Sequence, residues 1–71
     1  MKQNNIHRQI RAAREALGIT RYQAAKRLGV SRTHYNRWES GLVLPNIVSL
    51  RQIAVALHTT QAALLGEGIG R

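Results

Sequence analysis

The fold this chain predicts is an all-α domain of five short helices, and three observations predict it. Apolar residues recur at helical spacing in one segment after another. Most of these segments are bracketed by residues that start or stop helices, with Ser, Thr or Asn before them and Gly after them. No stretch shows sustained period-two alternation and β-branched residues are sparse, so no strand is expected.

The chain, taken in order, gives each helix a reason. Residues 1–5 are polar and read as a frayed tail, with Asn4 or Asn5 free to cap the first helix. Ile6, Ile10, Ala13 and Leu17 form the stripe of that amphipathic helix, and Gly18 stops it. His7, Arg8 and Arg11 fall off that stripe. Thr20 followed by Gln23 is a capping box, so a second helix starts at Arg21, with Tyr22, Ala24, Ala25 and Leu28 as its apolar atoms. The small Ala24-Ala25 pair admits a close neighbour. Gly29 permits the positive φ of a tight turn, Val30 packs under it, and Ser31 caps a third helix. Helix, three-residue turn and helix thus fit within Arg21–Glu39, a helix-turn-helix pattern.

Gly41 stops the third helix, and Leu42-Val43-Leu44-Pro45 reads as a loop. Pro45 or Asn46 opens a fourth helix with the stripe Ile47, Leu50, Ile53, Ala54 and Leu57. His58-Thr59 is a connector, and Thr60 caps a last short helix carrying Ala63, Leu64 and Leu65. Residues 66–71 hold three glycines and no packing pattern, so a mobile tail is expected there. The domain is therefore expected to span residues 6–65.

Bulk composition narrows the function classes. At 71 residues the chain is one domain, near the lower end of those that fold without staples. It has no cysteine, hence no disulfide framework and no thiolate metal site. Its longest uninterrupted apolar run, Ile53-Ala54-Val55-Ala56-Leu57, is far too short for a membrane span or a signal-peptide core, so a cytoplasmic location is expected. Eleven Lys and Arg face three acids, Glu15, Glu39 and Glu67, for a net charge of +8. Such an excess predicts a polyanionic partner.

The third helix says which polyanion. Tyr35 and Trp38 stand three apart and share a face. The opposite face carries Thr33, Asn36 and Arg37, with Arg32 at the leading end. Aromatics inward and Arg, Thr and Asn outward describe a helix that enters a nucleic-acid groove. An RNA or single-strand binder would want exposed aromatics, whereas here both point toward the core.

At this level of detail the chain resembles the Cro/C1-type (XRE-like) helix-turn-helix family. The resemblance runs from Ile10 to Leu65. It rests on Leu17-Gly18; on Ala25, Leu28, Gly29 and Val30 through the turn; on Ser31, Tyr35 and Trp38-Glu39; and on Gly41, Pro45, Leu50, Ile53-Ala54, Leu57 and Leu64-Leu65. It implies a lambda-repressor-like domain of five helices that binds operator DNA, commonly as a two-fold dimer, and regulates transcription. One departure stands out. Loops after the recognition helix often carry Lys or Arg in this family, but here that loop is Leu42-Val43-Leu44, which is either buried or part of an interface.

Each site residue has an expected role. Arg32, Thr33, Asn36 and Arg37 are the expected base readers: Arg for guanine, Asn for adenine, the Thr methyl for thymine. Arg21, Gln23, Ser31, His34, Gly41 and Asn46 are the expected DNA-backbone contacts, from side chains, helix N-termini and backbone N–H groups. Ala25, Leu28, Val30, Tyr35, Trp38, Leu50, Ile53 and Leu57 are expected in the core. The resemblance pairs Glu39 with a basic residue of the first helix, here Arg14, as a partly buried salt bridge.

The expected partner is double-stranded DNA, bound by a homodimer through Ser31–Glu39 to repress transcription. The dimer contact falls to Leu64-Leu65 or, second, to Leu42–Leu44. The rival is a protein-interaction module such as an antitoxin that neutralises a partner protein and regulates its own operon. No cofactor or metal is expected. An enzyme is disfavoured because there is no His/carboxylate cluster, no Ser or Thr with an evident base, and too little chain for a deep pocket. A membrane-surface peptide is disfavoured because five capped segments bury their stripes against one another.

Overall fold

The computed structural model describes residues 6–65. The expected tails at 1–5 and 66–71, with the caps proposed for Asn4 and Asn5, lie outside those residues. Within them the order is α1 (Ile6–Ala16), α2 (Arg21–Leu28), α3 (Arg32–Ser40), α4 (Ile47–Ala56) and α5 (Gln61–Leu65), with no strand among the described residues. Four helices of eight or more residues make up the body. The expected count of five is met only if Gln61–Leu65, five residues and barely more than one turn, is counted with them.

Local chemistry sets the boundaries. Thr20 and Gln23 form the reciprocal capping box: the Gln23 N–H donates to Thr20 Oγ1 at 3.1 Å and the Thr20 N–H to Gln23 Oε1 at 2.9 Å. Ser31 Oγ accepts from the His34 N–H at 3.0 Å, Asn46 Oδ1 from the Ser49 N–H at 2.8 Å, and Thr60 Oγ1 from the Ala63 N–H at 3.0 Å. Each cap satisfies a backbone donor that the first helical turn leaves open. Gly29 closes α2 at φ +73°, letting the Val30 N–H reach the Ala25 carbonyl at 3.1 Å. That left-handed geometry turns the chain from α2 into α3 within three residues.

α1 and α2 both pack on α3, while α4 closes the far side against α2 and α5, and α5 returns to α1. The core comprises Ile6, Ile10, Ala24, Ala25, Tyr35, Trp38, Leu50, Ile53, Ala54, Leu57 and Leu64. Ala24 and Ala25 are buried because they lack bulk, which brings α2 close to its neighbours. Leu28 and Val30, expected in the core, are only half-buried and line its edge beside the turn.

Three apolar expectations are corrected. Tyr22, counted among the apolar atoms of α2, is 54 % exposed; it sits in the first turn, where Lys26 Nζ lies 5.6 Å from its ring centre. Ile47, assigned to the stripe of α4, is 67 % exposed, because it occupies the edge of that stripe in the helix's opening turn. Leu64 is spent in the core, which removes it from the preferred dimer contact. Leu42, Val43 and Leu44 are exposed, which settles against burial for the α3–α4 loop.

Candidate nucleic-acid interface

α3 is held from its inner side. Tyr35 is fully buried and Trp38 is nearly so. Their rings meet edge to face with centroids 6.4 Å apart, and His34 lies edge-on to Trp38 at 4.7 Å. Glu39, one turn beyond Tyr35, is buried as well.

Every oxygen of the Glu39 carboxylate is engaged. Oε2 accepts from Arg14 Nε at 2.5 Å and from the Tyr35 hydroxyl at 2.6 Å. Oε1 accepts from Arg21 Nε at 3.1 Å and, weakly, from Arg14 Nη2 at 3.4 Å. Arg14 also donates from Nη1 to the Ile19 carbonyl at 2.8 Å, so one guanidinium ties α1 to the α1–α2 turn and to α3. Burial pushes the Glu39 pKa up, but the hydrogen bonds from Arg14, Tyr35 and Arg21 outweigh it and hold the carboxyl below its ordinary range. The same network raises the Tyr35 hydroxyl, first through burial and then through the bond it donates to Glu39. Arg14 is raised by its bond to Glu39.

The Arg14–Glu39 pair is thus present, and two partners accompany it that sequence reasoning did not find. Tyr35 and Glu39 are i and i+4 on one helix, a spacing from which that bond was readable. Arg21 joining the pair was not readable, since it depends on how the start of α2 crosses α3.

The outer side of α3 is different. Arg32, Thr33 and Arg37 are exposed, and neither arginine has a carboxylate partner among the described residues. Three expected base readers therefore share one open face. Asn36, the fourth, is half-buried, and its Oδ1 is shut away from solvent without a hydrogen-bond donor. Its position between the inner and outer arcs of the helix explains this.

The expected backbone contacts divide in the same way. Ser31, Gln23 and Asn46 use their side-chain oxygens as helix caps, leaving the N-terminal N–H groups of the first turns, not those oxygens, as their means of meeting a phosphate. Arg21 is half exposed, with Nε committed to Glu39. His34 is exposed and leans on Trp38. Gly41 ends α3 at φ +88°, a left-handed geometry that favours glycine, while a Cβ there would stand 3.4 Å from the His7 ring, at ordinary contact distance. A cleft between the start of α2 and α3 is lined by Thr20, Arg21, Tyr22, Arg32 and Asn36 together with Arg14. Guanidinium groups on the rim of such a cleft suit an anion. Among the described residues no group of three or more His, Cys, Asp or Glu side chains is placed to hold a metal, and no helix is long and apolar enough to cross a membrane.

Comparison with known proteins places this geometry. A family model described as Helix-turn-helix matches residues 10–64. A crystal structure of the P22 c2 repressor protein in complex with a synthetic operator is similar at a TM-score of 0.80 and 30 % identity, covering 93 % of this chain and 98 % of that one. The solution structure of the DNA-binding domain of the P22 c2 repressor is similar at a TM-score of 0.83 and 29 % identity, covering 94 % of this chain and 90 % of that one. No curated protein matches the chain by sequence.

Proposed function

The chain belongs to the Cro/C1-type (XRE-like) helix-turn-helix family of DNA-binding transcription regulators, and on that premise we propose that it is a repressor that binds a two-fold operator as a dimer. The observation that carries this reading is the contrast across α3. One side is fixed by Tyr35, Trp38 and the Glu39 network, and the other offers Arg32, Thr33 and Arg37 to solvent. A helix anchored this way holds its donors in one geometry before DNA arrives, so little ordering remains to be done on binding.

In the proposed complex α3 lies in the major groove. Arg32 and Arg37 donate to guanine edges, and Thr33 meets a thymine methyl or a phosphate. The cleft rim at Arg21, with the N–H groups opening α2 and α4, takes backbone phosphates. Two copies would set their recognition helices about 34 Å apart in successive major grooves. Occupation of such a site blocks transcription sterically. The proposal includes no catalytic step and no cofactor, and it locates the protein with the DNA in the cytoplasm. The operator complex of the P22 c2 repressor, similar along nearly its whole length, supports the operator part of the reading.

Selection of bound sites from a random DNA pool tests it. A single enriched motif with two-fold symmetry is expected, bound far more tightly than random duplex and with a steep salt dependence. Sedimentation on that site is expected to show two chains per duplex. Failure to enrich any motif would overturn the reading. A second reading, a module that docks a partner protein as an antitoxin does, has one observation in its favour: the exposed apolar side chains of the α3–α4 loop and α4.

A further inference from the structure

Seven large apolar side chains are exposed among the described residues, and six of them fall between residues 42 and 55. Leu42, Val43 and Leu44 form the α3–α4 loop, while Ile47, Val48 and Val55 sit on α4. At 100° per residue, Ile47, Val48, Arg51 and Val55 fall within about 100° of arc, on the side of α4 turned away from Leu50, Ile53 and Leu57. The loop is tied to the recognition helix, for the Val43 N–H donates to the Arg37 carbonyl at 3.2 Å. Beside Val55 a groove opens between α2 and α4, with Arg27, Leu28, Arg51 and His58 in its lining and no carboxylate among its lining residues. Arg27 crosses one end of that groove, donating from Nη1 to the Ala56 carbonyl at 3.2 Å.

Single exposed apolar residues are ordinary, but a continuous strip rimmed by charge marks a surface that another molecule covers. The charges select the occupant. A second copy packed on this strip would bring Arg51, at the middle of the arc, against Arg51 near the symmetry axis, with no carboxylate in the groove lining to answer either. Nucleic acid would answer the arginines and gain nothing from the valines and leucines. A flat lipid surface would not enter the groove between α2 and α4. A helix with apolar residues at i, i+3, i+4 and i+7 would lie along the strip, and acidic flanks would meet Arg27 and Arg51. We propose that the outward side of α4, with the α3–α4 loop and the α2–α4 groove, docks an acidic amphipathic helix of a different protein. This surface does not depend on the DNA-binding reading.

The test uses the full chain and a defined probe, a fourteen-residue blocked peptide with Leu at helical spacing and Glu on its flanks. A second peptide carries Lys for every Glu. Backbone amide shifts are followed by NMR during titration, and affinity is followed by fluorescence anisotropy. The Glu peptide is expected to bind and to move amides in residues 42–56, and the Lys peptide is expected to bind at least about tenfold more weakly. Val48→Glu with Val55→Glu, both at exposed positions, is expected to weaken the Glu peptide by about tenfold or more with an unchanged thermal melt. Arg51→Glu is expected to reverse the preference toward the Lys peptide.

The proposal is overturned if the Glu peptide fails to bind, if both peptides bind equally, or if the shifts map elsewhere. It is also overturned if the same amides respond to protein concentration alone or to phosphatidylserine vesicles, or if duplex DNA moves the amides of residues 51–56 beyond the opening turn of α4, which would make the occupant a second copy, membrane or nucleic acid. Site selection on DNA tests the other reading, so the two fail separately.

Discussion

The two sides of α3 use arginine in opposite ways. Toward the core, Arg14 and Arg21 converge on Glu39, and both carboxylate oxygens are engaged. Toward solvent, Arg32 and Arg37 meet no carboxylate among the described residues. The chain has only three acids, and the one in α3 lies buried beneath the helix. Placing a carboxylate within reach of Arg32 or Arg37 would satisfy them internally and remove their use. The difference teaches that an arginine in this domain either holds α3 or is offered by it, according to whether Glu39 lies within reach. The acid in α3 holds the helix in place, and the uncompensated cations are left where a polyanion can reach them.

The sharpest way to break this comparison is to remove Glu39. Arg14, with only 10 % of its side chain exposed, would be left as a buried charge without a partner. Glu39→Ala is expected to cost about 3–5 kcal/mol, measured by urea denaturation, because truncating one member of a buried pair strands the other. Replacing the pair together, as Arg14→Met with Glu39→Leu, is expected to cost clearly less than the single change. An equal or greater loss in the double variant would mean the network contributes attraction beyond mutual satisfaction. Trp38→Ala falls in the same range, about 3–5 kcal/mol, but through a cavity and not a charge.

Acid probes the same network more gently. The folded state holds Glu39 below its ordinary carboxyl range because three hydrogen bonds to the ionised form outweigh burial. A depressed folded pKa means the network's contribution is present above the unfolded value, about 4.3, and is lost as pH falls through the folded one. Stability is therefore expected to decline below about pH 4, and Glu39→Gln is expected to flatten that limb of the profile. At the other end the raised Tyr35 hydroxyl keeps its proton when folded. Its contribution is complete below the unfolded value near 10 and is lost as pH rises through the folded one.

On the outer side the expected effects change kind. Arg32→Ala and Arg37→Ala are each expected to cost about 1–3 kcal/mol of DNA binding while unfolding free energy moves by no more than about 0.5 kcal/mol. Anisotropy on the selected operator and denaturation of the same samples check both. If either variant binds as well as the parent, that arginine does not read DNA. If either unfolds the domain, the division between a holding side and an offering side is wrong.

How much of this was legible in the sequence depends on how far apart the interacting residues lie. Helix starts were legible because Thr20, Ser31, Asn46 and Thr60 act within three residues of themselves. The inward placement of Tyr35 and Trp38 was legible because their spacing is local. Ile47 and Tyr22 were misjudged because periodicity gives the phase of a helix but not how far its neighbour extends over the first turn. Arg21 was read as a phosphate contact alone, although its Nε serves Glu39, since a link across 18 residues is set by helix crossing and not by pattern. His58, in the left-handed region at φ +58°, carries no sequence mark at all, because glycine or asparagine would be the residue expected there.

Asn36 tests the boundary between the two sides, with the smallest expected effect. Its Oδ1 is buried without a donor, so in the free protein the carboxamide is a cost and not a support. Asn36→Ala is therefore expected to leave the stability of the free domain unchanged or to raise it by up to about 1 kcal/mol, the opposite sign from an ordinary truncation beside a core. Rotation of the carboxamide toward the cleft that Asn36 lines would present Oδ1 outward, where a base amino group such as adenine N6 is a donor of the right kind. The same variant is then expected to lose affinity chiefly for sites with that base and to lose little elsewhere. A destabilised Asn36→Ala with unaltered site preference would assign the carboxamide to the holding side, and α3 would offer DNA only Arg32, Thr33 and Arg37.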